Sequence, residues 1–228
     1  YVKRNDLSRP PFYRDIALEN PFLSSFPYED TPDQIRAWNE ISDDLSANSP
    51  MDRLLCGDVG FGKTELAIRA AFRVVLSKKR VVVLSPTTIL ANQLKSSFSA
   101  RLEPNAITVD MVSRFRSQKE LISVKKSIEE NNNDVLIGTH AVLNNDIYLK
   151  NIGLLIVDEE HRFGVKHKEK IKRFKSCVDV LSMSATPIPR SMNLALSGIY
   201  SVSMLQTAPR LRLPIKTQIE YYNESIIK

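Results

Sequence analysis

LLCGDVGFGKTEL, residues 54–66, places Gly57, Gly60 and Gly62 within six positions of a 228-residue chain that holds only seven glycines. Lys63 and Thr64 follow at once. The spacing is G-x-x-x-x-G-K-T. A loop of this composition wraps phosphates with backbone N–H groups, and the backbone comes that close only where no β-carbon stands in the way. Lys63 is then predicted to reach the β- and γ-phosphates of ATP, and the Thr64 hydroxyl to ligate Mg²⁺. The loop residues Asp58, Val59 and Phe61, with Glu65 after them, are counted with the same cofactor site. The reading requires a strand before the loop and a helix behind it. DRLLCG (52–57) is a short apolar run. In KTELAIRAAFRVVL (63–76), Leu66, Ala67, Ala70, Ala71, Val74 and Val75 share one helical face. The N-terminus of that helix aims its dipole at the phosphates.

Outward from the loop, short β-branched runs alternate with helical stretches. The runs are 52–57, RVVVLS (80–85), AITVDMVS (106–113), DVLIGT (134–139), IGLLIVDEE (152–160) and VDVLSMSAT (178–186). They are continuous rather than alternating, which fits strands covered on both faces. Helices are expected over 63–77, 88–101, 117–131 and 166–175. Such alternation predicts an α/β fold: an open, mainly parallel sheet with helices on both faces. Ligands on such sheets bind at the carboxyl ends of the strands. Residues 1–24 are rich in proline and read as a linker or edge segment. Residues 25–210 form the nucleotide-binding lobe. Residues 199–220 carry one or two further strands or start a connection, and 211–228 are taken as the start of that connection.

Composition sets outer bounds. At 43% hydrophobic the chain buries a full core. No run of eighteen apolar residues occurs, so no membrane span is expected. YVKRNDLSRPPFYRD (1–15) is basic but lacks the apolar centre of a signal peptide. The start at Tyr1 suggests a piece of a longer protein. Cys56 and Cys177 lack metal-type spacing, and this usage suits a reducing, cytoplasmic compartment. The net charge of +6 is compatible with a polyanionic partner.

LLIVDEEHRFG (154–164) is the second chemical signal. In enzymes with this loop, a carboxylate at a neighbouring strand end holds Mg²⁺. Asp158 stands there. Glu159, next to it, is predicted to activate the attacking water. His161 either relays between the nucleotide and neighbouring stretches or caps the turn. SMSATPIPRSM (182–192) sets Ser184 and Thr186 at another strand end, stiffened by Pro187 and Pro189. Hydroxyls held there are placed to sense the γ-phosphate.

GDVGFGKT, DEEH and SAT, in this order, resemble motifs I, II and III of superfamily 2 helicases and translocases, which are RecA-like P-loop NTPases. FPYEDTPDQ (26–34) is similar to their adenine-reading Q-motif, with Gln34 as the glutamine and Phe26 upstream. PTTILANQ (86–93) resembles motif Ia and IGTHAVL (137–143) motif Ib. Within this superfamily MDRLLCGDVGFGKTE, SRFRS (113–117), LLIVDEEHRFGVKHKEKIK and SATPIPRSMNLALSG look like the bacterial transcription-repair coupling factors. The branch-migrating RecG helicases are the rival, with D-E-Q-H where this chain reads Asp158-Glu159-Glu160-His161. The resemblance spans residues 22–217. It implies one RecA-like lobe of an ATP-driven motor on double-stranded DNA. Other parts of the parent protein would engage RNA polymerase and excision-repair proteins.

Contacts to DNA phosphates are expected from Thr87 and Thr88, from Thr139 and His140, and from Arg114 and Arg116. All follow strands, and contacts of this type position without reading sequence. The basic stretch VKHKEKIKRFK (165–175) reads as a solvated helix face, and His167 as a surface residue. In two-lobed helicases an arginine from the second lobe completes catalysis, and no Gly-Arg pair occurs in this chain. A kinase would need an acceptor site that no stretch suggests.

Overall fold

Each apolar run becomes a strand because its β-branched residues have helices to meet on both sides. The computed structural model describes residues 8–113, 118–174, 178–185 and 201–210. In chain order the elements are α1 (Ile16–Ser24), α2 (Pro32–Ser46), β1 (Asp52–Gly57), α3 (Lys63–Leu76), β2 (Arg80–Leu84), α4 (Thr88–Leu102), β3 (Val109–Val112), α5 (Gln118–Glu129), β4 (Val135–Gly138), β5 (Ile152–Asp158), α6 (Val165–Phe174), β6 (Asp179–Ser184) and β7 (Ser201–Leu205). The seven strands form one sheet in the order β3-β4-β2-β5-β6-β1-β7. Every pairing is parallel, so the mainly parallel sheet of the sequence reading is parallel throughout the described strands.

Alternate residues of each strand feed two cores. Val81 and Val83 join the helices α2, α3 and α4 on one face, with Ile41, Leu66 and Phe98. Val82 and Leu84 join Ile128 of α5 and Ile171 of α6 on the other. No helix among the described residues is long and apolar enough to cross a membrane.

The strand order divides the carboxyl edge of the sheet. β1, β6 and β5 are neighbours and end at Gly57, Ser184 and Asp158. β2, β4 and β3 are neighbours, with Leu84 paired to Gly138 and Gly138 to Val112. Ser85, Thr139 and Ser113 therefore leave the sheet side by side. β5 pairs with β2 and joins the two halves.

Two helices were absent from the sequence reading. α2 has the capping box its sequence encodes: the Thr31 hydroxyl accepts from the Gln34 N–H, the Gln34 side chain accepts from the Thr31 N–H, and Pro32 opens the helix. α1 lies inside the stretch expected to be linker, and Pro21 sits within it. It forms nonetheless because Asp15 caps it and its inner face is buried against α3. Phe22 stacks on Phe72 with centroids 3.9 Å apart. Glu19 and Arg73, 1% and 0% exposed, form a buried ion pair. Arg73 also donates to the Ser42 carbonyl and hydroxyl at 3.0 and 2.9 Å. Further upstream, Arg9 grips Asp179 with two bonds of 2.5 and 2.6 Å. Asp179, fully buried, also accepts from the Met51 N–H at 2.9 Å. Residues 8–24 are thus a strap built into the lobe, with anchors on α3 and β6.

Candidate functional site

The phosphate loop runs from the end of β1 to the start of α3. Gly60 and Gly62 take left-handed backbone, with φ of 82° and 84°. A β-carbon on Gly62 would also stand 2.2 Å from the Gln34 amide nitrogen. That amide nitrogen donates to the Phe61 carbonyl at 2.9 Å, while its oxygen accepts from the Thr31 N–H at 2.8 Å. Gln34 therefore braces the loop from α2. Gly57 faces β7, where a β-carbon would meet the Leu205 β-carbon at 2.8 Å.

The other loop residues divide by role. Val59 is 69% exposed at the tip, and its N–H donates to the Asp58 carboxylate at 2.8 Å. Phe61 is buried in the core and anchors the loop. Glu65, grouped with the cofactor residues, lines the cleft beside the loop, and its carboxylate, 8% exposed, pairs with Arg69 at 3.0 Å and Arg101 at 2.9 Å. Its side chain holds α3 to α4.

Lys63 donates to the carbonyls of Gly57 and Asp58 at 2.5 and 3.0 Å. Burial draws its pKa down, and Glu159, Asp158 and Asp58 oppose that shift. The lysine of the loop and the carboxylates of β5 therefore share one electrostatic site. Burial, then the neighbouring Glu159 charge, pushes the Asp158 pKa up to about 6, against the pull of Lys63 and Arg162. Cys56, beside them and 2% exposed, has its thiol pushed up by burial. It is an inert core residue at the strand end.

Glu159 sits in left-handed backbone with φ 49°. That conformation is uncommon and costly for a residue with a β-carbon. Three bonds hold it. Its N–H donates to the Met183 carbonyl at 2.9 Å, and its Oε1 accepts from the Ala185 N–H at 2.9 Å. Its Oε2 lies 3.2 Å from His161 Nδ1. Glu160 turns elsewhere and accepts from the Ser182 hydroxyl at 2.9 Å. The strain thus aims one carboxylate along the loop and locks it to the strand end that carries Ser184. Ser184 is 5% exposed and lies opposite Cys56 in register. Thr186 lies outside the described residues, as do Arg114, Arg116 and Cys177. The Ala185 N–H is a site group that sequence reasoning missed, because a backbone donor leaves no residue signature.

Beside the loop lies a cleft of about 720 Å³. Phe26, Tyr28, Gln34, Thr64, Arg101 and Pro209 line it. The guanidinium groups of Arg69 and Arg101 approach the Phe26 ring at 5.2 and 5.6 Å. Phe26 and Gln34 are thus brought to one pocket with Thr64. Tyr28, Arg101 and Pro209 were not foreseen. Arg101 and Pro209 come from distant parts of the chain, and only the fold unites them.

Hard oxygen ligands suit Mg²⁺, which keeps several waters and needs few protein groups. The Thr64 hydroxyl and the Asp158 carboxylate fit that donor set. A carboxylate whose charge is disfavoured by burial and by Glu159 is one that a cation would relieve. The described residues hold no group of three or more His, Cys, Asp or Glu arranged for a metal, which a Mg²⁺ site of this kind does not require.

This electrostatics gives a testable sign. Asp158 has a folded pKa above its ordinary 3.8, so folded protein binds more protons than unfolded between those values. Stability from this group therefore falls as pH rises from about 4 to about 6. Asp158→Asn should raise the unfolding free energy of the metal-free chain at pH 7 by about 1–2 kcal/mol, after a discount for solvent screening. The gain should vanish near pH 4. Urea titrations at both pH values check this, and equal stabilities at pH 7 would sink it.

On the second half of the edge, Thr87 is exposed and its hydroxyl caps α4 by accepting from the Leu90 N–H at 3.3 Å. Thr88 is the first residue of that helix. Thr139 is 6% exposed, and its hydroxyl caps the short 3-10 turn of residues 140–144. His140 is exposed, with its ring 4.5 Å from that of His167. Burial, His140 and Lys170 draw the His167 pKa down.

Residues 31–194 match the DEAD/DEAH box helicase family. That span holds the phosphate loop, both β5 carboxylates and the Ala185 donor. The chain belongs to the DEAD/DEAH box helicase family. It is 44% identical over its full length to a transcription-repair-coupling factor of Bacillus subtilis, and 47% identical over 94% of its length to that of Staphylococcus haemolyticus. It spans about a fifth of those relatives, 19% and 18% of their lengths. The structure of RecG bound to a three-way DNA junction superposes with a TM-score of 0.80 and 34% identity, over 94% of this chain and 29% of that one. The helicase domain of Hef from Pyrococcus furiosus shares the fold, with a TM-score of 0.55 over 76% of this chain and 37% of that one, at 19% identity.

Proposed function

We propose that this chain is the first ATP-binding lobe of a double-stranded DNA translocase of the transcription-repair-coupling type. It works in the cytoplasm, where the whole protein displaces stalled RNA polymerase and brings excision-repair proteins to the lesion. The observation that carries the reading is the shared site of Lys63, Asp158 and Glu159 at the ends of β1 and β5, with Glu159 bonded to the Ala185 N–H of β6's exit. The identity of 44–47% to coupling factors, against 34% to the RecG structure, favours this type over a branch-migrating helicase.

In this reading Lys63 leaves its two carbonyl partners and meets the β- and γ-phosphates of ATP. Backbone N–H groups of the loop and the start of α3 supply the remaining donors. Thr64 and Asp158 hold Mg²⁺, which offsets charge on the phosphates when bound. Glu159 accepts a proton from the attacking water. Its bond to Ala185 relays the change to the strand end where Ser184 stands, and His161 shares the same carboxylate. Thr87, Thr88 and His140 meet the DNA backbone beside the second half of the sheet edge. Arg114, Arg116 and Thr139 are proposed to contact phosphates as well. For Thr139, whose hydroxyl is spent as a cap, the contact falls to its backbone.

Lys63→Ala removes a charge-assisted phosphate contact, a class worth about 1.5–3 kcal/mol. ATP affinity should fall roughly tenfold or more. Calorimetry on wild type and variant tests this, and equal affinities would overturn the cradle. Hydrolysis by the same lobe joined to its second lobe should rise on adding duplex DNA. A rate indifferent to DNA would remove the translocase reading and leave the ATP site standing.

A further inference from the structure

The segment that leaves β7 is exposed at Gln206, Thr207 and Ala208, so apolar burial does not hold it down. Side chains of α2 and the loop before it hold it instead. Asp33, 7% exposed, accepts from the N–H groups of Gln206 and Thr207, both at 2.8 Å. Arg36 pairs with Asp33 at 2.7 Å and donates to the Met204 carbonyl at 3.0 Å. Glu29 pairs with Arg210 at 2.7 Å. Two residues beyond Thr207, Pro209 lines the cleft beside the phosphate loop. Asp33 is also the chain neighbour of Gln34, which braces that loop through Phe61.

We propose that Asp33 is a positioning residue that clasps the chain leaving β7 against α2, sets Pro209 as a wall of the nucleotide cleft, and so ties cleft occupancy to residues 206–210. A carboxylate that accepts two backbone N–H bonds fixes both the direction and the depth of a chain. The two amides it takes are consecutive, so the peptide plane between them cannot turn without losing one. Chain held in this way moves with α2, and α2 moves with the loop through Gln34. A nucleotide that presses on Gln34 and Pro209 therefore meets both ends of one rigid bracket. The Gln206 N–H, then the Thr207 bonds, hold the Asp33 carboxyl down to about 2 against burial, with Arg36 assisting. The clasp is thus charged and closed at neutral pH.

The inference rests on the reading of the cleft as a nucleotide site, and the test separates the two. Hydrogen exchange at residues 206–210 and calorimetric affinity for ADP with Mg²⁺ are measured on the 228-residue chain. Asp33→Ala should speed exchange at Gln206 and Thr207 by about tenfold or more, and remove any slowing caused by the nucleotide. Its ADP affinity should fall roughly three- to tenfold, the scale of losing one wall of a small pocket. Asp33→Asn, which keeps an acceptor oxygen, should restore part of both. Pro209→Gly removes the wall and leaves the clasp, so it should lower affinity with exchange at 206 and 207 unchanged. It also carries the test if Asp33→Ala does not fold. Faster exchange with wild-type affinity in Asp33→Ala, or wild-type affinity in Pro209→Gly, overturns the inference while the cleft stands. Wild-type chain that binds ADP no better than Lys63→Ala overturns the cleft itself.

Discussion

Glu159→Gln should leave ATP and Mg²⁺ binding nearly unchanged and cut turnover by about 10²–10⁴-fold when the lobe works with its second lobe. The amide oxygen still accepts from the Ala185 N–H, and the left-handed backbone is still held by the Met183 carbonyl. What disappears is the capacity to take a proton from water, since an amide has no basic oxygen at neutral pH. Binding and chemistry thus separate at one atom pair. Single-turnover hydrolysis, with nucleotide affinity measured in parallel, checks the expectation. A normal rate would move the base to Glu160. That outcome would go against the geometry, because Glu160 accepts from Ser182, and Glu159 is one of the three carboxylates that act on Lys63.

Glu19→Ala should destabilise the lobe by about 3–5 kcal/mol, because it leaves the Arg73 guanidinium buried without its counter-charge. Arg73 keeps Ser42, whose carbonyl and hydroxyl are neutral and do not replace a carboxylate. The ion pair itself need not be strongly favourable. Burying two charges costs nearly as much as their attraction returns, so replacing both with apolar residues of like volume should cost far less than removing one. Urea unfolding of Glu19→Ala and of the double variant Glu19→Leu with Arg73→Met distinguishes the cases. A loss under about 1 kcal/mol in the single variant would mean that water reaches Arg73.

The sheet was legible because its signal is local. β-Branched runs broken by helical spacing place strands to within two or three residues, and GDVGFGKT fixes the loop because only glycine tolerates its backbone. The carboxylates of β5 were legible for the same reason: acids beside a buried strand demand a cation or a proton. α1 was not legible. Pro21 within it and the prolines before it argue for extended chain, and the opposing term, burial of Phe22 and Glu19 against α3, is a contact with residues about fifty positions away. Arg69 and Arg73 are buried by the same kind of distant contact. Charged residues spaced along a helix ordinarily form its wet side, whereas here the buried carboxylates of Glu65 and Glu19 pair with them, and half-buried Asp30 covers Arg69. Glu65 stands beside the phosphate loop in sequence and lines the cleft, but its pairing with Arg101 of α4 was not legible. Adjacency in sequence does not fix side-chain direction.

The strap has a consequence for the order in which the lobe is completed. Arg9 precedes its partner Asp179 by 170 residues. During synthesis the strap waits beside a growing sheet whose β6 does not yet exist. The Phe22 and Glu19 contacts to α3 form after a delay of about fifty residues. The Arg9 bonds to the carbonyls of Asp44, Leu45 and Ala47 need only the end of α2, whereas its bonds to Asp179 wait for β6. Contacts of such long separation close slowly, because the entropy of the intervening loop is lost before they form. Until then the strap is held by the end of α2 and by α3 alone. Arg9 is thus placed by α2 first and by β6 much later.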